Sequence, residues 1–208
     1  MTLILSRYGI NLRRVENSDI ELIRKWRNHP DIRKYMEYQK KISKAQQIKW
    51  FSEINNELNY YLMINVGGKD VGVINCRDVN LIDNYGEGGI FIWDKEYLKS
   101  PIPVFASIIL IDFIFNELKI GDKSFIRIMK NNVRAIEYNK ALGYFLIPGQ
   151  VGVKNQWYLL TRDGFNKKAK KIMIAAKNYT ETGGELKVKG EVSPLNTKEL
   201  NDYLEQIS

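Results

Sequence analysis

The sequence predicts a mixed α/β fold in which a single sheet carries helices on both faces. Segments with helical spacing of apolar residues alternate along the chain with β-rich segments. The pair Gly67-Gly68 joins two of the β-rich segments as a hairpin. Val104–Leu118 is apolar nearly all round, which is typical of a buried helix. The resulting order, β, α, α, β, β, β, α, β, α, β, β, mixes local hairpins with helical crossovers.

Two capping boxes predict where helices begin in the first half of the chain. In each box a serine and a side chain three residues later satisfy each other's free backbone donors. The two pairs are Ser18 with Glu21 and Ser43 with Gln46. Pro30 disfavours helix at the residue before it, so we expect the first helix to end at His29, with a short helical turn over Asp31–Met36.

The remaining elements follow from periodicity and from glycine. The predicted strands are Ile10–Val15, Tyr60–Val66, Val71–Cys76, Gly88–Trp93, Ser124–Met129, Tyr144–Ile147 and Trp157–Thr161. Asn132–Leu142 is predicted to be a helix, and Gly143 is expected to end it in the left-handed conformation. Beyond it we expect a helix over Asn166–Tyr179, a linker or hairpin over Thr180–Gly190 and a terminal helix over Leu195–Ile207. We therefore predict one domain over residues 1–165 and a helical extension of unknown role over 166–208.

Composition narrows the function classes. The chain has 208 residues and is 44% hydrophobic, which indicates a folded domain. No apolar run is long enough to cross a bilayer, and Met1–Ile10 lacks a signal-peptide pattern, so we expect a cytoplasmic protein without membrane contact. One cysteine and one histidine exclude an internal disulfide and a His/Cys metal cluster. The net charge of +8 favours a polyanionic partner, which leaves nucleic acid, coenzyme A and a nucleotide sugar open.

Two segments resemble the GNAT superfamily of N-acetyltransferases. Asn132-Val-Arg-Ala135 followed by Lys140-Ala-Leu-Gly143-Tyr144 is similar to that family's motif of Asn, Ala, a basic residue and Leu-Gly-Phe. The stretch from Trp26 through Arg33, with Tyr35 and Met36 behind it, resembles the opening helices of two branches. One branch acetylates ribosomal-protein N-termini and the other acetylates nucleotide-linked amino sugars. The continuation from Ile42 to Phe51 looks more like the sugar branch.

The resemblance implies the GNAT fold, which has a mixed, mostly antiparallel sheet of about six to seven strands. It also implies acetyl-CoA as co-substrate, without a metal, and direct attack by an amine in a ternary complex. In the family, two neighbouring parallel strands splay apart and admit the pantetheine arm. Here those strands would be Gly88–Trp93 and Ser124–Met129, and the backbone of Phe91 and Trp93 would pair with the arm. The cofactor-binding residues implied in this way are Phe91, Ile92, Trp93, Lys99, Ser100, Ile102, Val104, Phe105, Asn132 and Asn139.

The segment that should bind the pyrophosphate departs from the family pattern. Its two glycine places hold Pro101 and Pro103, which supply no N–H. Ser100, Ile102, Val104 and Phe105 keep their donors, and Lys95 and Lys99 add positive charge. The sequence therefore leaves open rearranged or weakened cofactor binding, and a connection that binds no ligand.

Two residues are candidates for catalysis and four for acceptor binding. Glu87 resembles a Glu near the start of the fourth strand of sugar and peptide acetyltransferases, where it could bind the substrate ammonium and take its proton. The family's thiolate-protonating Tyr lies seven residues after the motif Asn, but here Asn139 holds that place and Tyr138 precedes it. The residues implied for the acceptor pocket are Arg27, Asn28, Tyr35 and Met36.

The predicted function is transfer of acetyl to a primary amine, with a nucleotide-linked amino sugar as the leading acceptor. The alternatives are acetylation of a protein N-terminus and a catalytically silent GNAT fold that acts as a binding module. A nucleic-acid binder rests on charge alone. A homodimer is compatible with the sequence.

Overall fold

The computed structural model describes residues 2–177 and 184–191. Its strands are β1 (Ile4–Arg7), β2 (Ile10–Arg14), β3 (Tyr60–Val66), β4 (Lys69–Asn80), β5 (Tyr85–Ile92), β6 (Lys123–Met129), β7 (Phe145–Leu146), β8 (Asn155–Thr161) and β9 (Lys187–Lys189). Its α-helices are α1 (Ile20–Asn28), α2 (Pro30–Arg33), α3 (Lys44–Ile54), α4 (Lys95–Leu98), α5 (Ile102–Asp112), α6 (Val133–Leu142) and α7 (Arg162–Lys177).

One mixed sheet organises the described residues. Its strand order is β7-β8-β6-β5-β4-β3-β2-β1-β9, and every neighbouring pair is antiparallel except β5 and β6, which run parallel. This confirms the predicted fold class, with nine strands where six to seven were expected. The two additional strands, β1 and β9, pair with each other at one edge of the sheet. The strand β1 was not predicted, and β9 lies in the segment predicted as a linker or hairpin.

Local capping signals were correct at two helix ends and wrong at one. Ser43 and Gln46 form the predicted box at the start of α3, and Gly143 closes α6 with a φ of 110°. The box predicted from Ser18 is wrong, because Asp19 instead accepts from the backbone N–H of Glu16 in a short 3₁₀ turn. The helix α1 therefore begins at Ile20.

The two faces of the sheet pack against different helices. The larger core lies against α5, α6 and α7, and it includes Leu62, Ile74, Ile109 and Leu160. A smaller core on the opposite face joins β3, β4 and β5 to α1 and α3. Each face of the central strands is therefore covered, which agrees with the apolar character of β3 and β4.

Two features mark the helices of the larger core. The helix α5 continues into a π-helical turn over Phe113–Glu117, in which the Leu118 N–H donates to the Phe113 carbonyl at 2.8 Å. The helix α7 runs through the predicted boundary at residue 165 and buries Phe165 and Ala169 in the core. The boundary itself stays a prediction, and the predicted terminal helix over 195–207 lies outside the described residues. No described helix is long and apolar enough to span a membrane.

Candidate active site

The parallel strands β5 and β6 lie side by side for only part of their length. Tyr85–Gly88 pairs with Lys123–Ile126. Beyond those residues β5 remains paired with β4 up to Ile92, and β6 remains paired with β8 up to Met129. A gap therefore opens between the two strands, which confirms the predicted splayed parallel pair.

A cavity of about 1380 Å³ runs through this gap and is lined from both faces of the sheet. One half lies under α5 and α6, and we call it the donor half. The other half lies under α1, the turn after α2, and α3, and we call it the acceptor half. The predicted site residues that line the cavity are Arg27, Tyr35, Met36, Glu87, Phe91, Ile92, Lys99, Ser100, Val104, Asn132, Tyr138 and Asn139. The predicted residues outside the lining are Asn28, Trp93, Ile102 and Phe105.

The register of β4 and β5 decides which backbone groups of β5 face the gap. The Trp93 N–H donates to the Val71 carbonyl at 3.0 Å, so these two residues form a hydrogen-bonded pair. Hydrogen-bonded and non-bonded pairs alternate along antiparallel strands, so the backbone of Phe91 is also directed toward β4. The backbone groups of Ile90 and Ile92 face the gap instead. The register therefore offers the backbone of Ile90 and Ile92 to a pantetheine arm, and the assignment of Phe91 and Trp93 to that role stays a prediction.

Trp93 has a packing role on the acceptor side of the sheet. Its indole stacks on Trp26 with ring centroids 5.9 Å apart and an interplanar angle of 3°. Its Nε1–H donates to the Asp70 carbonyl at 3.1 Å. Both N–H groups of this residue are thus bonded within the protein, and its side chain packs in the smaller core on the acceptor side.

The segment that leads into α5 has fewer available donors than the sequence suggested. The Ser100 N–H donates to the Tyr97 carbonyl at 3.1 Å, and the Ile102 N–H donates to the Ser100 Oγ at 3.2 Å. The Phe105 N–H donates to the Pro101 carbonyl at 3.0 Å as part of the helix. Val104 is the remaining backbone donor of the predicted set, and the assignments of Ile102 and Phe105 as cofactor-binding residues stay predictions.

Part of the positive charge near this segment is already used in an ion pair. The Lys95 Nζ lies 3.0 Å from Asp31 Oδ2, an ion pair that joins α4 to α2. Lys99 is exposed and lines the cavity. The gap and its free backbone groups therefore fit a pantetheine arm well, whereas the N-terminus of α5 offers the pyrophosphate of coenzyme A one lysine and few backbone donors.

The helix α6 places three predicted residues on the donor half. Asn132 caps the helix by accepting from the Ala135 N–H at 3.4 Å, and Asn139 Nδ2 donates to the Ala135 carbonyl at 2.8 Å. Burial raises the pKa of Tyr138 above its ordinary value of 10.0, an effect that hydrogen bonds with Asn139 and Ser107 oppose. Tyr138 is therefore protonated at neutral pH, as a proton donor must be.

The donor half also contains a pair of hydroxyl groups that was not predicted. Tyr144 Oη and Ser124 Oγ lie 2.7 Å apart, and both line the cavity where β5 and β6 separate. Burial raises the pKa of Tyr144. Tyr144 occupies the position where the family motif has Phe. A Tyr at that position adds a hydroxyl group, and this difference in the sequence could have identified Tyr144 as a site residue.

Glu87 lies between two arginines on the acceptor half of the cavity. Its Oε1 accepts from Arg77 Nη2 at 2.7 Å and from Arg127 Nε at 3.0 Å, and its Oε2 accepts from Arg127 Nη2 at 3.3 Å. Arg127 also contacts Glu37 Oε2 at 2.5 Å through Nη1. Alternating charges thus form one row across the floor of the acceptor half, and neither arginine was predicted from the sequence.

Arg27 contrasts with these paired arginines. It lines the cavity with its guanidinium 5.9 Å from the ring centroid of Phe91. Its Nη1 is buried and has no hydrogen-bond partner among the described residues. Burial lowers the pKa of Arg27. A buried guanidinium N–H without a partner is costly, and an anionic ligand would satisfy it.

The turn after α2 covers the acceptor half and is held at two points. Tyr35 and Met36 line the cavity from this turn, as predicted. Asn28 instead fixes the chain behind the turn, since its Oδ1 accepts from the Ile42 N–H at 2.7 Å and its Nδ2 donates to the Ile42 carbonyl at 2.9 Å. The structure therefore does not support acceptor contact by Asn28. Glu37, by its contact with Arg127, forms the second point.

Comparison with known proteins agrees with this geometry. The family model for the acetyltransferase (GNAT) domain matches residues 10–144. An uncharacterized protein of Methanocaldococcus jannaschii is 26% identical over 156 residues, which is 71% of this chain and 30% of that protein. The chain thus spans less than a third of the length of that relative.

Two solved structures share the fold. A spermidine N-acetyltransferase from Vibrio cholerae in complex with CoA and spermine superposes with a TM-score of 0.67 at 16% identity, covering 76% of this chain and 98% of that one. FdhC, a nucleotide-linked sugar GNAT solved in the apo form, superposes with a TM-score of 0.67 at 20% identity, covering 83% and 97%. With the family model covering more than half of its length, the chain belongs to the GNAT acetyltransferase domain family.

Proposed function

We propose that the protein transfers an acetyl group from acetyl-CoA to the primary amine of a nucleotide-linked amino sugar. The observation that carries the proposal is the continuous cavity through the gap between β5 and β6. A carboxylate, Glu87, lies on its acceptor half, and a protonated phenol, Tyr138, lies on its donor half. Two substrates entering from opposite faces of the sheet would meet at the gap.

Acetyl-CoA supplies an acyl group activated as a thioester. In the proposed reaction Glu87 binds the acceptor ammonium and takes its proton, directly or through water. The N–H groups of Ile90 and Ile92 on the gap side hold the arm and polarise the carbonyl. The acceptor nitrogen forms a bond to the acyl carbon, the carbon–sulfur bond breaks, and Tyr138 gives its proton to the leaving thiolate. The second proton of the nitrogen, released as the amide forms, returns to the Tyr138 oxygen through solvent.

The arginines that flank Glu87 position it for this role. Contacts from Arg77 and Arg127 fix both carboxylate oxygens in place, so little side-chain entropy remains to be lost when the acceptor binds. They also compete with the substrate ammonium for the carboxylate. The acceptor nitrogen must therefore approach Glu87 from the open side of the cavity.

Charge in the acceptor half favours an anionic acceptor over a polyamine. Arg27 is partly buried and its Nη1 has no hydrogen-bond partner among the described residues, and Tyr35 is 42% exposed on the turn above the cavity. A diphosphate could bind Arg27 while the base or the sugar ring stacks on Tyr35. A polyamine would place further positive charge beside Arg27, which is unfavourable.

One observation favours a second candidate function, a GNAT fold that binds a partner without catalysis. The donors at the N-terminus of α5 are largely used within the protein, so the pyrophosphate of coenzyme A would lose contacts that the family ordinarily provides. The gap and the cavity are retained, and for this reason we give catalysis precedence.

Calorimetric titration with acetyl-CoA, followed by an assay of free thiol release with uridine- and thymidine-diphosphate amino sugars, tests the proposal. We expect micromolar binding of acetyl-CoA and thiol release with an amino-sugar nucleotide. In Arg27→Gln the KM for the nucleotide sugar should rise about tenfold, since a charged hydrogen bond is lost. The KM for acetyl-CoA should not change.

The matched control is Arg33→Gln, which removes a charge from α2, outside the cavity lining. It should leave both KM values unchanged. Absence of acetyl-CoA binding at millimolar concentration would refute the enzyme and favour the binding module. Thiol release with spermidine and none with any nucleotide sugar would refute the acceptor class alone.

A further inference from the structure

The cavity has an apolar branch beneath β5 that acetyl transfer does not require. Leu110, Ile114 and Phe115 line the cavity although they are only 3%, 5% and 1% exposed, so the space beside them is internal. Two of these residues belong to the π-helical turn after α5, a geometry that is frequent at functional sites. Protein interiors are close-packed, and an internal space that continues from a reactive gap needs an explanation.

The branch opens at the point where the reacting groups would meet. Gly88 and Ile126 are the last paired residues of β5 and β6, and both line the cavity. A Cβ on Gly88 would lie 3.1 Å from the Ile126 side chain and 3.6 Å from Tyr144 Oη. Glycine at this position therefore leaves room between the gap and the branch. Cys76, the β4 partner of Gly88, continues the lining inward.

The lining of the branch suits an uncharged apolar group. Its aliphatic and aromatic walls come from α5, the π-helical turn after it, β4 and β6, and none of the residues named above carries a charge. Burial raises the pKa of the Cys76 thiol to about 12, so the thiol is neutral. Two polar atoms of the cavity lining, Tyr144 Oη and Ser124 Oγ, are hydrogen-bonded to each other at 2.7 Å.

We propose that this branch binds the acyl chain of the donor and that the preferred donor carries an aliphatic acyl group longer than acetyl, of the propionyl or butyryl class. The inference rests on the proposed function, because the acyl group reaches the branch only if the pantetheine arm occupies the gap. An acetyl methyl would leave the branch unfilled. Each further methylene would move from water into an apolar space.

The reaction stays balanced with a longer chain. The acceptor nitrogen forms the amide bond to the acyl carbon, and the carbon–sulfur bond breaks. One proton leaves the amine and one proton reaches the thiolate. The additional carbons take no part in bond making, so they affect affinity and position without changing the chemistry.

Calorimetric titration of the full chain with coenzyme A and with its acetyl, propionyl, butyryl and hexanoyl thioesters tests the inference without an acceptor. Two buried methylenes predict that butyryl-CoA binds about tenfold more tightly than acetyl-CoA. Ile114→Ala deepens the branch and should shift the tightest binding to hexanoyl-CoA. Ile108→Ala, the matched control, removes the same atoms from a buried residue of α5 outside the cavity lining, and should keep the wild-type order.

The outcomes separate the inference from the function on which it rests. Binding of acetyl-CoA with equal or weaker binding of butyryl-CoA overturns the acyl preference and leaves the proposed function standing. A shift in chain-length order in Ile108→Ala equal to that in Ile114→Ala also overturns it. Failure of coenzyme A and of every thioester to bind overturns both.

Discussion

The two halves of the cavity satisfy their polar groups in opposite ways. In the acceptor half, side chains from different strands and from a surface turn form a row of ion pairs around Glu87, and one guanidinium, Arg27, is left over. In the donor half, the backbone donors before α5 are bonded to neighbours a few residues away. The acceptor half thus retains a charge for a ligand, whereas the donor half relies on shape and on the strand backbone at the gap.

The largest expected effect comes from breaking the row of charges at its centre. Glu87→Gln removes the base and the ammonium partner and should lower kcat/KM about 100-fold to 1,000-fold. The assay is thiol release at saturating donor. Glu53→Gln is the control, since Glu53 also lines the acceptor half but pairs with exposed Lys49 at 3.7 Å. Equal activities of the two variants would contradict the role of Glu87.

A smaller effect should follow from removing the proton donor of the other half. Tyr138→Phe should lower kcat about tenfold to 100-fold. The sign of the pH dependence follows from burial. A donor must be protonated, and the raised pKa keeps Tyr138 protonated up to and beyond pH 10.0, its ordinary value. We therefore expect the wild-type rate to fall only above that pH and the fall to be absent from the variant.

The pH profile of kcat for Tyr138→Phe and Tyr144→Phe measures this prediction. Both phenols line the donor half, but only Tyr144 is held by the serine hydroxyl of β6. If Tyr144→Phe loses the alkaline limb and Tyr138→Phe keeps it, then the proton donor is Tyr144 and the assignment of Tyr138 is wrong.

The smallest expected effect comes from a substitution that adds a backbone N–H to the donor half, which has few such donors. Pro103 lies in the first turn of α5, where an N–H has no partner within the helix. Pro103→Ala should tighten acetyl-CoA binding about threefold to fivefold, which corresponds to one modest hydrogen bond. Calorimetry measures the dissociation constant. Pro148→Ala, in an exposed loop, is the control, and equal affinities in both variants would contradict the argument.

Features that depend on a few neighbouring residues could be predicted from the sequence. The Ser43 and Gln46 box and the left-handed Gly143 are set by contacts within four residues, and both were correct. The splayed strands were predicted from the family motif. The Ser18 box was wrong because Asp19 made a competing contact with Glu16, and sequence spacing alone does not rank two such contacts.

Features that depend on strand register and on distant partners could not be predicted. The difference between Phe91 and Ile92 depends on which residue of β4 faces Trp93, and a one-residue change of register reverses the answer. The contact of Arg127 with Glu87 joins residues 40 positions apart. The backbone N–H groups before α5 are bonded within the protein because of the local geometry of Ser100 and the two prolines. The absence of the family's glycines indicated a changed loop but did not specify these hydrogen bonds.

The ends of the sheet have a consequence for self-association. At one edge β7 contributes two residues, and at the other β9 contributes three, with Lys187 and Lys189 exposed. Short edges that carry charge are poor templates for strand addition by another chain. The edge made by β9 lies five strands from β5, which is about 24 Å at ordinary strand spacing. Both edges of the described sheet therefore resist the addition of further strands, and a label or surface tether attached at Lys187 would lie far from the gap between β5 and β6.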